Sequence, residues 1–382
     1  MKLAVDTHHL LLEYAGTKRV TLNILEQLRN EREIELIELK PSYSLKPGKG
    51  IFSKLRGHFI RFFWVQIHLP CLCFFERVDF LLSPEYYTPI FTSCKRGVIA
   101  HDAHIRAQRQ FISSLWFYFY YLPFIEYAIR RADVIFTVSE FSKVEMISLM
   151  RLDDSRLHVA YNGIDPAFTR LNPGRSADVL SRAGLVVGEY ILFVGTFEAR
   201  KNIEGLIRAF ALLKSRTVPS FTGIKLAIIG KASLGRHSDR NTQISDLIDT
   251  LQLRGEIVLC GFVPDSELPV FYRSAAMVAF PSLYEGFGLP IIEGFASQVP
   301  VMTSNTCSMP EIAGNAALLC DPSDIRDMAA KMEKLLVDQQ LRNQLISAGI
   351  ERVKFFTWQR CTARLLLYIR RSVSQKKENV HT

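Results

Sequence analysis

Glu285 and Glu293 stand on either side of Gly286-Phe287-Gly288-Leu289-Pro290, in the stretch "LYEGFGLPIIEGFASQVPVMTSN" from Leu283 to Asn305. Ala276 to Phe280 reads as a buried strand before this turn, and the residues after Leu289 read as the start of a helix. Pro290 suits a first helical turn, where its missing N–H would have no partner and its φ is already helical. The two glycines let the backbone fold tightly and present successive N–H groups. Those amides, with the positive end of the helix, can seat a phosphate or a developing negative charge. Glu285 then lies in the turn and Glu293 in the first helical turn. A glutamate near a helix start can also do no more than stabilise the dipole, by about 0.3–1 kcal/mol. The glycine-rich turn argues for more.

The elements that must hold these residues follow one rhythm: a short apolar strand, a turn, then a helical stretch. Strands are expected at Leu3–Asp6, Glu35–Leu39, Val78–Ser83, Gly97–His101, Val134–Ser139 and Leu157–Tyr161 in the first half. The second half offers Tyr190–Gly195, Lys225–Gly230, Ile257–Gly261, Met277–Pro281, Val299–Ser304 and Ala317–Cys320. Nearly continuous Val/Ile/Leu runs fit parallel strands buried on both faces. Between them, Val20, Ile24 and Leu28, and then Ile203, Leu206, Ile207 and Phe210, recur at helical spacing. The alternation predicts an α/β protein with parallel sheets. Between Pro166 and Gly188 the rhythm breaks, with Asn172-Pro-Gly174 and Gly184, so this is the expected linker. Ligands of doubly wound sheets bind beyond the carboxyl ends of the strands, and a motif placed just after a strand therefore carries most weight.

Several such motifs together resemble glycosyltransferase family 4, the retaining enzymes of GT-B fold that use a nucleotide-sugar donor. The resemblance rests on the Glu, seven residues, Glu signature around Gly-Phe-Gly-Leu-Pro. It also rests on "VGTFEARKN" (Val194 to Asn202), "YNGID" (Tyr161 to Asp165), "VSEFSK" (Val138 to Lys143), "IAHD" (Ile99 to Asp102) and "MPEIAGNAALLCDP" (Met309 to Pro322). It covers about residues 95 to 360. Gly-Thr-x-Glu-x-Arg-Lys-Asn and the run "WVQIHLP" (Trp64 to Pro70) are similar to bacterial mannosyltransferases of O-antigen or capsule assembly.

The resemblance implies two Rossmann-like domains facing each other across a cleft. Residues 1–170 would form an acceptor-binding domain, 171–357 a nucleotide-sugar-binding domain, and 358–382 a helix crossing back to the first domain, plus a tail. It implies that Glu285 binds and orients the donor sugar and that Glu293 takes the ribose hydroxyls. Arg200 and Lys201 would neutralise the diphosphate, and the amides of Gly286, Phe287, Gly288 and Leu289 would contact sugar and diphosphate. His101 would sit near the donor sugar, Gly16 near the diphosphate, and the segment at Val263 against the base. Read from the residues alone, Arg200-Lys201 could equally be a solvated surface, His101 a structural histidine with His104 beside it, and Gly16 an ordinary turn glycine. The chain departs from the pattern at Thr196, where many members have arginine, and at Ala15-Gly16, where many have a glycine pair. Asp102 reads as a helix cap or loop anchor.

With 382 residues, 48% apolar and 22% charged, the chain suits two globular domains. Met1 to Asp6 reads as a first strand, and seven cysteines without paired spacing suit a reducing compartment, so a cytoplasmic enzyme is expected. No metal and no cofactor are expected; a nucleoside diphosphate sugar, GDP-mannose by the resemblance or a UDP-sugar, is the donor substrate. The net charge of +9 calls for an anionic partner. Nucleic-acid signatures are not evident. Ile51, Phe52, Leu55, Phe59, Phe62 and Phe63 recur at helical spacing, with Lys54 and Arg61 on the other side. This is either an interfacial helix on the inner face of an anionic membrane, suited to a lipid-linked saccharide acceptor, or a core helix. Phe62 to Phe75 and Gln110 to Ile125 both fall short of the roughly 18 apolar residues of a membrane span. The aromatic run Leu115 to Tyr121 suits core or acceptor site. A sugar-nucleotide epimerase of related fold, indifferent to acceptor, or a non-catalytic nucleotide-sugar-binding subunit are the alternatives to a transferase.

Overall fold

The computed structural model describes residues 1–11, 15–41, 51–109, 112–169, 176–216, 221–230 and 239–378. They fold as two compact units, Met1–Gly163 with Trp358–Thr382, and Ile164–Thr357. The chain passes between units at Gly163, ahead of the expected linker. Pro166–Phe168 already belongs to the second unit, because Ile164 N–H donates to the Phe356 carbonyl at 2.9 Å and Arg273 donates to the Ala167 carbonyl at 2.8 Å. Asn172-Pro-Gly174 lies outside the described residues.

In the N-terminal unit, β1 (Lys2–Asp6), β2 (Glu35–Leu39), β3 (Phe80–Ser83), β4 (Lys95–Ile99), β5 (Val134–Thr137) and β6 (Leu157–Val159) form one parallel sheet, in the order β2-β1-β3-β4-β5-β6. Alternate residues of β1 feed opposite faces. Leu3 and Val5 join Val20, Ile24 and Leu28 of the helix Ala15–Arg29 and Trp358, Leu365 and Ile369 of the terminal helix Trp358–Glu378. Ala4 joins Trp64, Leu69 and Cys73 on the other face. Burial on both sides is why inner strands such as β3 and β5 read as apolar runs, whereas the edge strand β2 keeps Glu35 and Glu38. The fourth strand lies two residues earlier than expected, so His101 falls beyond its end.

The helical run from Ile51 to Phe75 is continuous, through a wide π turn at Trp64–His68. Its twenty residues Arg56–Phe75 are long and apolar enough to cross a membrane by length and composition, whereas the sequence reading counted only Phe62 to Phe75. One side of that run nevertheless lies in the unit's core, through Trp64, Val65, Leu69 and Cys73. The other side leaves Phe59, Phe63, Ile67, Phe74 and Phe75 exposed. The side chains of 51–55 lie outside the described ones. Arg61 does not stand on an open basic face: its guanidinium sits 4.7 Å over the Tyr87 ring. The aromatic run divides likewise, with Phe117 and Tyr121 buried and Leu115, Tyr118 and Phe119 exposed; Gln110 and Phe111 lie outside the described residues. Its π turn, Phe117–Glu126, contains Pro123, which cannot donate the backbone bond an α-helix requires.

In the C-terminal unit, β7 (Tyr190–Val194), β8 (Lys225–Ile229), β9 (Ile257–Gly261), β10 (Met277–Phe280), β11 (Val301–Ser304) and β12 (Ala317–Cys320) form a second parallel sheet, ordered β12-β11-β10-β7-β8-β9. The chain lays strands outward from β7 to β9, returns beside β7 as β10, and then proceeds the other way. The expected periodicity holds in the helix Ile203–Lys214, where Ile203, Leu206, Ile207 and Phe210 are buried.

Candidate functional site

The strand order of the C-terminal unit reverses between β7 and β10. At such a switch point the loops leave neighbouring strands in opposite directions and open a crevice at their carboxyl ends. The loop after β7 brings Arg200 and Lys201 there, and the loop after β10 brings Glu285.

The β7 loop has little freedom. Gly195 N–H donates to the Ile229 carbonyl and Gly230 N–H to the Gly261 carbonyl, which ties the ends of β7, β8 and β9 together. Gly230 has φ +138°, and a Cβ there would lie 1.9 Å from the Gly195 carbonyl oxygen. Only glycine fits. After the 3₁₀ turn Ala199–Lys201, Asn202 takes a left-handed conformation, φ +57°, and opens the next helix. Its side-chain amide donates to the carbonyls of Pro281 (3.1 Å) and Pro322 (2.7 Å), which anchors the loop to the end of β10.

The β10 turn is fixed from beneath. Ser308 Oγ shares its proton between the carbonyls of Glu285 (2.9 Å) and Phe287 (3.1 Å). Gly288 has φ +99° at the N-cap of the helix Leu289–Ala296, and Pro290 stands in its first turn. The amides of Gly286, Phe287, Gly288 and Leu289 thus lead into a helix N-terminus, while the Phe287 ring is buried edge-on against Phe356, 5.7 Å between centroids.

Charge concentrates on Glu285, itself buried. Arg200 Nη1 donates to Oε2 at 3.0 Å, and Lys201 Nζ lies 2.5 Å from Oε1 as an ion pair outside hydrogen-bond geometry. Arg200 Nε donates to Glu198 Oε2 at 2.7 Å, and Lys201 also sits over the Phe280 ring. Burial acts to raise the Glu285 pKa, but the charges of Lys201 and Arg200 more than offset it and hold the carboxyl below its ordinary value. Burial pushes Lys201 down, with Glu285 opposing. The arrangement is two cations shared by two carboxylates, Glu285 between both and Glu198 on Arg200, so an anion would enter by exchanging with a carboxylate.

Glu293 lies in the second helical turn rather than the first, because the helix begins at Leu289. It is buried, and the Tyr272 hydroxyl donates to its Oε2 at 2.6 Å. Val263 is half-buried in the segment following β9.

The other two expected residues belong to the N-terminal unit. His101 Nε2–H donates to the Pro84 carbonyl at 3.1 Å, and burial lowers the ring's pKa. Beside it, Asp102 is a loop anchor that accepts from Tyr86 OH (2.7 Å) and His104 Nδ1 (2.7 Å). Burial acts to raise its carboxyl pKa, but His104, by charge and hydrogen bond, and Tyr86 hold it well below the ordinary range. Gly16 is not a turn residue: it is the second residue of the helix Ala15–Arg29, exposed, with nothing within 4 Å of a Cβ placed there.

Sequence reasoning missed Ser308 and Tyr272, which carry no signal outside the fold, and gave no role to Glu198 and Asn202, although both lie in the quoted Val194 to Asn202 motif. It also passed over Asp6 and His8, whose side chains meet at 2.8 Å after β1; two adjacent histidines directly after a first strand were the available clue.

Comparison with known proteins bears on the family and the fold. Residues 187–352 match the family Glycosyl transferases group 1, and residues 14–168 match Glycosyltransferase Family 4. The O-antigen chain mannosyltransferase B of Escherichia coli is 34% identical over 235 residues, 62% of this chain and 60% of that protein. The match therefore spans less than two thirds of that relative's length. Sucrose-phosphate synthase from Thermosynechococcus elongatus superposes with a TM-score of 0.74 at 17% identity, over 98% of this chain and 100% of that one. Anabaena HepE, solved in complex with UDP-glucose, gives a TM-score of 0.74 at 14% identity, over 96% and 100%. At these identities the structures speak for the fold. Glycosyltransferase family models thus match both halves of the chain, and its two parallel sheets have the GT-B fold of those enzymes.

Proposed function

We propose that this protein transfers a sugar, mannose by its similarity to the O-antigen enzyme, from a nucleoside diphosphate to a saccharide acceptor in surface polysaccharide assembly, with retention at the sugar carbon. The observation that carries the reading is the Glu285 carboxylate held between Arg200 and Lys201 beside the amides of residues 286–289. A donor diphosphate competes with Glu285 for those cations: Arg200 grips it bidentately and Lys201 acts as a point charge. Glu285, exchanged from the cations to the sugar hydroxyls, orients the sugar. Glu293, fixed by Tyr272, takes the ribose hydroxyls, and backbone at Val263 meets the base. Gly16 and His101 keep the roles the resemblance implies, toward diphosphate and donor sugar.

The bond from the sugar carbon to the leaving phosphate breaks as the acceptor oxygen bonds that carbon from the same face. The acceptor proton passes to the departing phosphate oxygen. Arg200, Lys201 and the turn amides stabilise the charge that develops on the diphosphate, the part a metal plays in other transferases. The reaction is taken to run on GDP-mannose at an anionic membrane surface on the cytoplasmic side, with a lipid-linked acceptor. The support for that location is the exposed apolar stripe from Phe59 to Phe75.

Incubation with GDP-mannose or UDP-glucose and mannose-terminated acceptors, with the product anomer assigned by NMR, tests the reading. Retained mannosyl transfer that persists in EDTA is expected. Turnover without an acceptor requirement, inversion, or strict metal dependence contradicts it.

A further inference from the structure

The turn from Glu285 to Leu289 rests on two supports, the Ser308 hydroxyl beneath its carbonyls and the Phe356 ring against the Phe287 ring. Both supports lead to one side chain, the half-buried Arg352 of the helix Gln339–Val353.

The first route runs through the helix Met309–Ala313, which opens directly after Ser308. A helix leaves its last carbonyls without partners inside it. Here Arg352 takes two of them: Nη2 donates to the Glu311 carbonyl at 2.5 Å and Nε to the Ile312 carbonyl at 3.1 Å. Glycine at position 314 admits the guanidinium, since its φ is +56° and a Cβ there would lie 3.3 Å from Arg352 Nε. A cation at the carbonyl end of a helix is a common cap. With only five residues and Pro310 in its first turn, this helix has little slack, so holding Glu311 and Ile312 also holds Ser308.

The second route is aromatic. The same guanidinium lies over the Phe356 ring, 5.2 Å from its centroid, where a cation and an aromatic face attract. Phe356 is buried, its N–H donates to the Val353 carbonyl at 2.9 Å, and its carbonyl accepts from Ile164 N–H at 2.9 Å. Its ring meets the Phe287 ring at 87°. Phe287 stands between the two glycines of the turn, so a shift of its ring moves the backbone that carries Glu285 and the amides beside it. A cap alone needs neither the ring nor Ser308; Arg352 reaches both. A lysine could copy this only in part, because one ammonium lacks the planar fork that takes two carbonyls and stacks on a ring.

We propose that Arg352 is a positioning residue for sugar transfer: through Ser308 and Phe356 it fixes the turn that carries Glu285 and the amides of 286–289, without touching the donor. This rests on the transferase reading. A misplacement of about 1 Å at a reacting centre can cost about 100-fold in rate, so a remote anchor has a measurable effect.

The test uses the full chain with Arg352→Met and Arg352→Lys, each alone and combined with Ser308→Ala. Hydrogen exchange read by mass spectrometry follows the turn, with the helix Ile203–Lys214 as reference, and initial rates with GDP-mannose give kcat and KM. Arg352→Met should speed exchange across 286–289 at least about tenfold while the reference helix stays within about twofold. Its kcat should fall at least about tenfold, with a smaller change in KM. Arg352→Lys should lie between wild type and Arg352→Met in both measurements, and it carries the test if Arg352→Met does not fold. On Ser308→Ala the same substitutions should cost less than on wild type, since one route is already cut. An unchanged turn, an unchanged kcat, equal quickening of the reference helix, or losses that repeat in full on Ser308→Ala overturn the proposal. Wild type that transfers no sugar overturns the transferase reading instead, and the exchange result still stands for or against Arg352 as the anchor of the turn.

Discussion

Arg200 Nη1 lies 3.0 Å from Glu285 Oε2, joining the loop after β7 to the loop after β10 at the point where the strand order turns back. The residue read as a sugar ligand and the residue read as a diphosphate ligand hold each other. One set of charges thereby keeps the site formed and also presents it to an anion, which makes the roles separable by substitution.

Glu285→Ala should lower kcat/KM at least about 100-fold, near 2.7 kcal/mol, if the carboxylate orients the donor sugar. Glu285→Gln, which leaves the cations without their carboxylate competitor, should bind nucleoside diphosphate more tightly than wild type while remaining slow. Calorimetry and initial rates check the pair of outcomes. A slow Glu285→Gln protein with weakened diphosphate binding would count against the exchange of partners.

Lys201→Ala should weaken binding of the nucleoside diphosphate by more than that of the bare nucleoside, since the ammonium acts on phosphate charge. Equal losses for both ligands in titration calorimetry would place Lys201 outside the phosphate site.

The Glu285 pKa also sets a pH dependence. Its folded value lies below its unfolded one, so its contribution to stability is complete above the ordinary carboxylate range. That contribution is lost as the pH falls through the folded value. Urea denaturation across the acid range should therefore show a steeper fall for wild type than for Glu285→Gln. Parallel curves would contradict the ion cluster.

Two glycines should respond in opposite ways. Gly230→Ala meets the Gly195 carbonyl at 1.9 Å with a positive φ and should cost more than about 3 kcal/mol, or prevent folding. Gly16→Ala is an open helical position, so stability should hold or rise by up to about 1 kcal/mol. Donor affinity should fall if the diphosphate approaches there. Thermal melts with donor titrations separate the two effects.

Phe59 and Phe63 test location. Both are exposed, so Phe59→Ser with Phe63→Ser should leave the melting temperature almost unchanged and reduce sedimentation with anionic vesicles. A loss of stability with vesicle binding intact would place this stripe in packing rather than at a membrane.

The sequence by itself determined the twelve strands and both parallel sheets, because strands buried on two faces must be apolar throughout and that pattern is local. It also marked Glu285, Arg200 and Lys201, since each follows a legible strand and the glycine turn has a recognisable backbone requirement. Tertiary structure decided what those side chains touch. Neighbours in sequence order are not neighbours in the sheet, and only the return of β10 beside β7 brings Glu285 onto Arg200 and Lys201. The same holds for β3, which pairs with β1 although β2 comes between them in the chain. It holds as well for the Ile51–Phe75 run, whose periodicity shows an apolar stripe but not that Trp64 faces the core while Phe59 faces outward. Hydrogen-bond partners such as Tyr272 for Glu293 and Ser308 for the turn are contacts across the fold, and no spacing in the chain encodes them.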